Sequence, residues 1–410
     1  MHNYIYNLLS RKTIVLLDQA LFSGISFLLT FSLVRILSLS EFGVFSSLIL
    51  GNYLVVSVLN AMTTSTFQVN YAKEEDFNSY LTFNILFQFL LQLLVILLIV
   101  IFYYLNPLYS IINVFTIIAF TSSFILYDFL RKIILAIDKI ALVLICDFIF
   151  TLIQTIAILG IYFFQINQLN VVLFWLSLSY LIPIFIGFYA LKQYFTINNL
   201  YILFLKKHIS QGKWLLFSSV IQWWSSNLFV VASGVFLGLE ALGAFRLVQT
   251  VFGVLNLLFQ TFENYVLPKA VSLFVKSTNS AKKYIINISK KSGLLILSFL
   301  FVLYIFSDSI IQLIGGEKYT QYGFVIRGMS ILYVLIFIGY PIRLCIRMLV
   351  LNRNFFIGYL LSLAFSLLFF NYFLSNFGLS GAILGLAISQ LILIIYWQFV
   401  LSKNNFLLWK

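Results

Sequence analysis

Between Arg246 and Glu263 six residues, Arg246, Gln249, Gly253, Asn256, Gln260 and Glu263, follow one another at spacings of three or four. At 3.6 residues per turn that spacing lays them on one face of a helix. Their neighbours are apolar, so the helix carries a polar stripe through an oily setting, with a guanidinium near one end and a carboxylate near the other. Lipid cannot satisfy such groups, so the stripe points to a polar lumen; hydrogen bonding within a tight helix bundle is the alternative. Two shorter stripes accompany it: Ser218, Gln222 and Ser225, and Asp147, Thr151 and Gln154. Trp223 and Trp224 lie beside the first of these and could offer flat faces to sugar rings, although an aromatic in such a helix more often serves packing.

Single charges inside apolar runs are the second signal. An ionisable side chain at mid-bilayer costs roughly 2.5 to 3.5 kcal/mol, so Asp18, Arg35, Asp147, Arg246, Glu263, Arg327, Arg343 and Arg347 are expected to face protein or a wet cavity. Snorkelling to the interface explains Arg327 and Arg347 as well as function does. Arg343 and Arg347 share a helix face just after Pro341, and a guanidinium pair there suits an anionic diphosphate, bound bidentately at any physiological pH. Anchoring by acidic head groups is the plainer alternative. The expected substrate-contact set is Arg35, Gln222, Arg246, Gln249, Asn256, Gln260, Arg343 and Arg347. Asp18, Asp147 and Glu263 are candidates for ion coupling, because a carboxylate dry in one state and wet in another changes its proton affinity. Pairing with the arginines explains them equally well.

Enzymatic chemistry has little to work with. The only histidines are His2 and His208, and no G-x-x-x-x-G-K-[ST] loop occurs, so neither a histidine-based metal or acid-base site nor a self-contained ATPase is expected. No catalytic residue, metal or cofactor is assigned. Cys146 and Cys345 both lie in apolar runs and read as small buried hydrophobes.

The elements that must position these residues follow from composition. The 410 residues are 62% hydrophobic and 9% charged, against about 25% charged in ordinary soluble domains. Apolar runs of the roughly 20 residues a crossing helix needs recur twelve times: Thr13–Leu37, Phe42–Phe67, Leu81–Leu105, Leu108–Leu130, Ile140–Phe164, Val171–Leu191, Trp214–Leu237, Leu242–Leu267, Gly293–Ile314, Phe324–Leu349, Phe355–Phe373 and Leu379–Leu401. An all-α polytopic membrane protein results, with a six-helix lobe over residues 1–195, a cytoplasmic linker over 196–213 and a second six-helix lobe over 214–410. With the amino terminus inside, all of the 25 basic residues fall on the inner side except Arg35, Arg246, Lys318 and Arg327, which places both termini in the cytoplasm. Arg131 and Lys132 belong to one of the inner clusters. The basic residues are scattered between apolar runs, without the contiguous face that nucleic acid requires. The loops around Asn106 and Pro107, at Gln165–Asn170 and at Gly315–Tyr322 are too short for an extramembrane domain. Ile36–Phe45 (ILSLSEFGVF) recurs as Phe236–Phe245 (FLGLEALGAF), which marks a parallel repeat and makes the lobes pseudo-symmetric.

The stretch Arg35–Leu48 (RILSLSEFGVFSSL) resembles the arginine, leucine, leucine, glycine, proline, glutamate, glutamate, phenylalanine, glycine pattern near the start of bacterial polysaccharide (O-antigen) flippases. These form a branch of the multidrug/oligosaccharidyl-lipid/polysaccharide (MOP) superfamily. Arg35, Glu41, Phe42 and Gly43 match; Ser38 and Leu39 replace glycine and proline. The resemblance implies two six-helix lobes in a V around a central cavity, with Arg35 as a cavity-facing basic position. It further implies transport of an undecaprenyl-diphosphate-linked oligosaccharide, such as an O-antigen or capsule repeat unit, from the cytoplasmic to the periplasmic leaflet of the bacterial inner membrane. Alternating access coupled to a proton or cation gradient would drive it, with membrane lipids, a polysaccharide polymerase and a chain-length regulator as surroundings and partners. A drug or cation exporter of the same superfamily is the main rival, disfavoured by five arginines against three carboxylates among the candidates. A membrane polysaccharide polymerase is less favoured for want of a large outer loop.

Overall fold

The computed structural model describes residues 11–71, 74–105, 112–196 and 201–408. In lipid a backbone amide has no water to bond, so segments this apolar must close their hydrogen bonds within themselves. Helices are what forms, and the described residues contain no strand. Eleven helical segments are long and apolar enough to cross a bilayer. The last runs for 52 residues, about 78 Å if it were unbroken, far beyond one crossing of roughly 30 Å. It is broken at Gly378, whose φ of 53° and ψ of −136° leave the helical region, so it supplies two crossings and brings the total to twelve. The loop expected around Asn106 and Pro107 lies outside the described residues.

Two compact units divide the chain, residues 1–220 and 221–410. The first contains α1 (Arg11–Ile36), α2 (Leu39–Met62), α3 (Thr64–Asn70), α4 (Phe77–Leu105), α5 (Val114–Ala136), α6 (Ile140–Phe163), α7 (Leu169–Ser179), α8 (Leu181–Leu191) and the start of α9 (Tyr201–Leu237). Helix α3 carries α2 onward after a break at Thr63, and α7 with α8 makes one interrupted crossing that breaks at Tyr180, just before Pro183. Helix α5 packs on α2, α4, α6, α7 and α8, while α1 lies along α6. An aromatic cluster of Phe67, Tyr80, Phe83, Phe129 and Phe204 packs α3, α4, α5 and the start of α9 together. Leu93, Leu97 and Leu98 of α4 point outward, as a lipid-facing surface requires.

The second unit contains the rest of α9, then α10 (Leu239–Thr261), a π-helical turn (Phe262–Val266), α11 (Leu267–Lys276), α12 (Thr278–Ile305), α13 (Ser307–Gly315), α14 (Gly323–Met348) and α15 (Asn352–Lys403). Helix α14 is its axis and touches α10, α11, α12, α13 and α15.

The repeat has a structural counterpart in each unit. Helix α1 stops at Ile36 and α2 starts at Leu39; α9 stops at Leu237 and α10 starts at Leu239. The two turns close differently. Ser38 caps α2 reciprocally with Glu41 in a capping box, whereas Gly238 makes its turn through a φ of 93°, a conformation open to glycine at little cost. Two expected boundaries shift. The ninth crossing begins at Thr278, well before Gly293, and is interrupted at Phe306. The segment expected as a linker is helical from Tyr201 onward, because one side of it is not solvated: His208 is fully buried and bonds Tyr80.

Candidate functional site

In the second unit the α10 stripe opens onto a cavity of about 520 Å³. Arg246, Gln249, Asn256, Gln260 and Glu263 line one side of it; Tyr333, Tyr340 and Arg343 of α14 line another; Ser225 and Asn227 of α9, with Ser362, Ser389, Gln390 and Trp397 of α15, complete the wall. Five of the six residues that the spacing placed on one face thus meet in one hollow. Arg246 Nη1 donates to Gln249 Oε1 at 2.7 Å, and Tyr333 OH donates to Asn256 Oδ1 at 3.3 Å. Ser225 Oγ donates to Ser362 Oγ at 2.9 Å, tying α9 to α15.

Charge concentrates at the π-helical turn. Glu263 Oε1 lies 2.9 Å from Arg343 Nη2, and Glu263 Oε2 pairs with Arg347 Nη1. The Tyr340 hydroxyl reaches Glu263 Oε1 at 3.1 Å and the Phe259 carbonyl at 2.8 Å; with one proton it donates to one of them at a time. The Arg343 guanidinium lies 5.6 Å from the Tyr340 and Phe355 ring centres, and its buried Nε has no hydrogen-bond partner among the described residues. Arg347 does not line the cavity but joins its edge through Glu263. Two guanidinium groups therefore meet one carboxylate at this end of the cavity.

The remaining candidates lie elsewhere. Gln222 sits nearly a turn before Ser225 on α9 and is not among the lining residues; neither are Trp223 and Trp224, whose rings pack edge to face at 5.2 Å. Arg35 is exposed at the end of α1 in the first unit. Arg327 pairs with Asp308 at 3.1 Å, both side chains largely exposed.

The first unit holds a second constellation, around a residue that sequence reasoning put in a loop. Arg131 lies in α5, its side chain 12% exposed, between two carboxylates. Its Nη2 donates to Asp18 of α1, and its Nε donates to Asp147 of α6 at 2.8 Å. The Tyr127 hydroxyl closes on the other oxygen of Asp147, and Phe22 lies under the guanidinium at 4.4 Å. One turn or two beyond Asp147, Thr151 Oγ1 and Gln154 Nε2 are buried with no hydrogen-bond partner among the described residues. Two carboxylates face one cation here, the reverse of the balance in the second unit. The signal for Arg131 was available: two acids in apolar helices need a counter-charge, and Arg131 falls one turn after Tyr127. Also missed was the stripe Asn84, Gln88 and Gln92 on α4, all buried, together with Asp128, which bonds Asn60 at 3.1 Å and Lys132 at 2.7 Å.

Among the described residues, helices throughout, twelve crossings and a polar hollow in the second unit define a multi-pass α-helical membrane protein. The family described as polysaccharide biosynthesis protein matches residues 32–323, and the chain belongs to that family. In fold it is similar to an inward-facing multidrug resistance MATE transporter of the MOP superfamily, with a TM-score of 0.73 and 10% identity over 94% of this chain and 95% of that one. It is equally similar to the lipid II flippase MurJ in an inward closed conformation, with a TM-score of 0.73 and 12% identity over 95% of this chain and 87% of that one. A MOP superfamily transporter from Pyrococcus furiosus, described as having a binding pocket of reversed polarity, aligns with a TM-score of 0.63 and 13% identity over 97% and 96%. No curated protein matches the chain by sequence. The MOP fold and the polysaccharide family agree with the resemblance read from Arg35–Leu48.

Proposed function

We propose that the protein is a flippase that turns an undecaprenyl-diphosphate-linked oligosaccharide, an O-antigen or capsule repeat unit, from the cytoplasmic to the periplasmic leaflet of a bacterial inner membrane. It works by alternating access, without covalent chemistry, and both termini face the cytoplasm. The observation that carries this reading is the cationic, hydroxyl- and amide-rich cavity of the second unit. Its arginines suit a diphosphate, since guanidinium binds phosphate oxygens in pairs; its serines, amides and tyrosines suit sugar hydroxyls. Membership of a polysaccharide biosynthesis family supports this reading, with a polymerase and a chain-length regulator as the expected neighbours. Arg35, exposed at the end of α1, remains a proposed contact.

The Asp18–Arg131–Asp147 cluster is the proposed coupling site. One negative charge is left over in a dry setting, and a proton or small cation completes it at least cost. That same surplus of acid favours the rival reading, an exporter of organic cations. Reconstituted vesicles separate the two. With a fluorescent sugar-bearing prenyl diphosphate, the flippase reading expects bilayer crossing by the wild type and a fall of about tenfold or more in Arg343→Gln, as loss of a charge-assisted contact of a few kcal/mol requires. Export of an organic cation with no movement of prenyl diphosphate overturns it.

A further inference from the structure

Among the described residues Glu263 is the one carboxylate lining the cavity, and it occupies the position where an incoming anion would be held. One of its oxygens meets Arg343 and the Tyr340 hydroxyl, the other meets Arg347. Two oxygens are spread across two guanidinium groups and a phenol, as two oxygens of a phosphate would be. We propose that Glu263 is a tethered stand-in for the substrate's diphosphate: it bridges and half-neutralises Arg343 in the empty cavity and Arg347 at its edge, and is displaced when the lipid diphosphate arrives. The inference rests on the reading of this cavity as the site of an anionic lipid head.

Two features support displacement over a permanent ion pair. A diphosphate brings more charge and more acceptor oxygens than a carboxylate, so it wins the same donors whenever it can reach them. The carboxylate also sits on a π-helical turn, Phe262–Val266, between α10 and α11. Such turns hold one residue more than the α-helical register and occur mostly at functional sites; passing that residue along the helix swings Glu263 away without unfolding α10. Pairing in the empty state matters because two cations without a partner in a membrane interior are costly. Glu263 thereby acts as a specificity device: a neutral lipid or a weak monoanion gains too little to open the pair.

The test is binding of farnesyl diphosphate and farnesyl monophosphate to the full-length protein in nanodiscs. Glu263→Gln is expected to bind the diphosphate about tenfold more tightly than wild type and to bind the monophosphate more tightly as well, narrowing the preference between them. Glu263→Asp, which keeps the charge, is expected to restore wild-type discrimination. If Glu263→Gln does not fold, the comparison of Arg347→Gln with Glu263→Gln/Arg347→Gln serves instead, the double variant being the tighter. Binding by Glu263→Gln that is equal to or weaker than wild type, with Arg343→Gln still abolishing it, overturns the stand-in and leaves the anion site intact. Indifference of diphosphate binding to Arg343→Gln overturns both.

Discussion

Arg131 carries two buried carboxylates, and removing it tests how much of the first unit depends on that pairing. Breaking a buried ion pair on one side costs about 3–5 kcal/mol, because the charge left behind has neither partner nor water. Arg131→Leu is therefore expected to lower the thermal midpoint in detergent sharply. Adding Asp18→Asn and Asp147→Asn should restore most of the loss, since all three charges then leave together. A single variant as stable as wild type would show that the cluster is hydrated. Asp18 and Asp147 were legible in the sequence because an acid stands out in an apolar run. Arg131 was masked, although the acids called for a counter-charge, because its neighbour Lys132 gave it the look of a cytoplasmic cluster. Position along the chain placed both near a helix end, but only the fold shows that Arg131 turns inward to the acids while Lys132 turns to Asp128. In the second unit the reverse holds: Arg246, Gln249, Asn256, Gln260 and Glu263 could be assembled from spacing alone, because the π-helical turn carries the face of α10 onward to Glu263.

Periodicity reveals a helix's buried face more reliably than its length. The stripe from Arg246 to Glu263 reads as unbroken α-helix, and the π-helical turn at its end is invisible in spacings of three and four. Helix α9 exceeds its expected length because polar residues such as His208 signal solvent in a sequence, although this one is packed against Phe83 and Phe87. Gly378 presents the opposite case, where one small residue separates the last two crossings. Its backbone lies in a region that β-branched residues avoid, and such strain costs about 1–3 kcal/mol. Gly378→Val is expected to lower the thermal midpoint in detergent and the yield of folded protein with it; a midpoint equal to wild type would mean that the break is set by packing. Gly385 is small for another reason: a Cβ there would lie 2.1 Å from the Phe229 ring, so α9 and α15 approach closely at that level.

On the scale of the whole molecule, the two units carry opposite balances of charge: acid exceeds base around Arg131, and base exceeds acid around Glu263. The proposed division of labour puts coupling in the first unit and cargo recognition in the second. Asp18→Asn and Asp147→Asn, each verified as folded, should remove the dependence of transport on an imposed proton or cation gradient while leaving prenyl diphosphate binding within about twofold of wild type. Arg343→Gln should do the converse. Gradient dependence that survives both aspartate variants would take coupling out of the first unit. The sequence signalled the membrane architecture through twelve apolar runs and a repeated turn; it could not show this separation of charges, which depends on which helices meet. The most direct test is photo-crosslinking of a benzophenone-bearing prenyl diphosphate to the protein in nanodiscs, with the modified peptides mapped by mass spectrometry. The account predicts labelling on α10 and α14, near Tyr340 and Arg343, that excess diphosphate lipid suppresses. Suppressible labelling confined to the first unit, with none on α10 or α14, would contradict it.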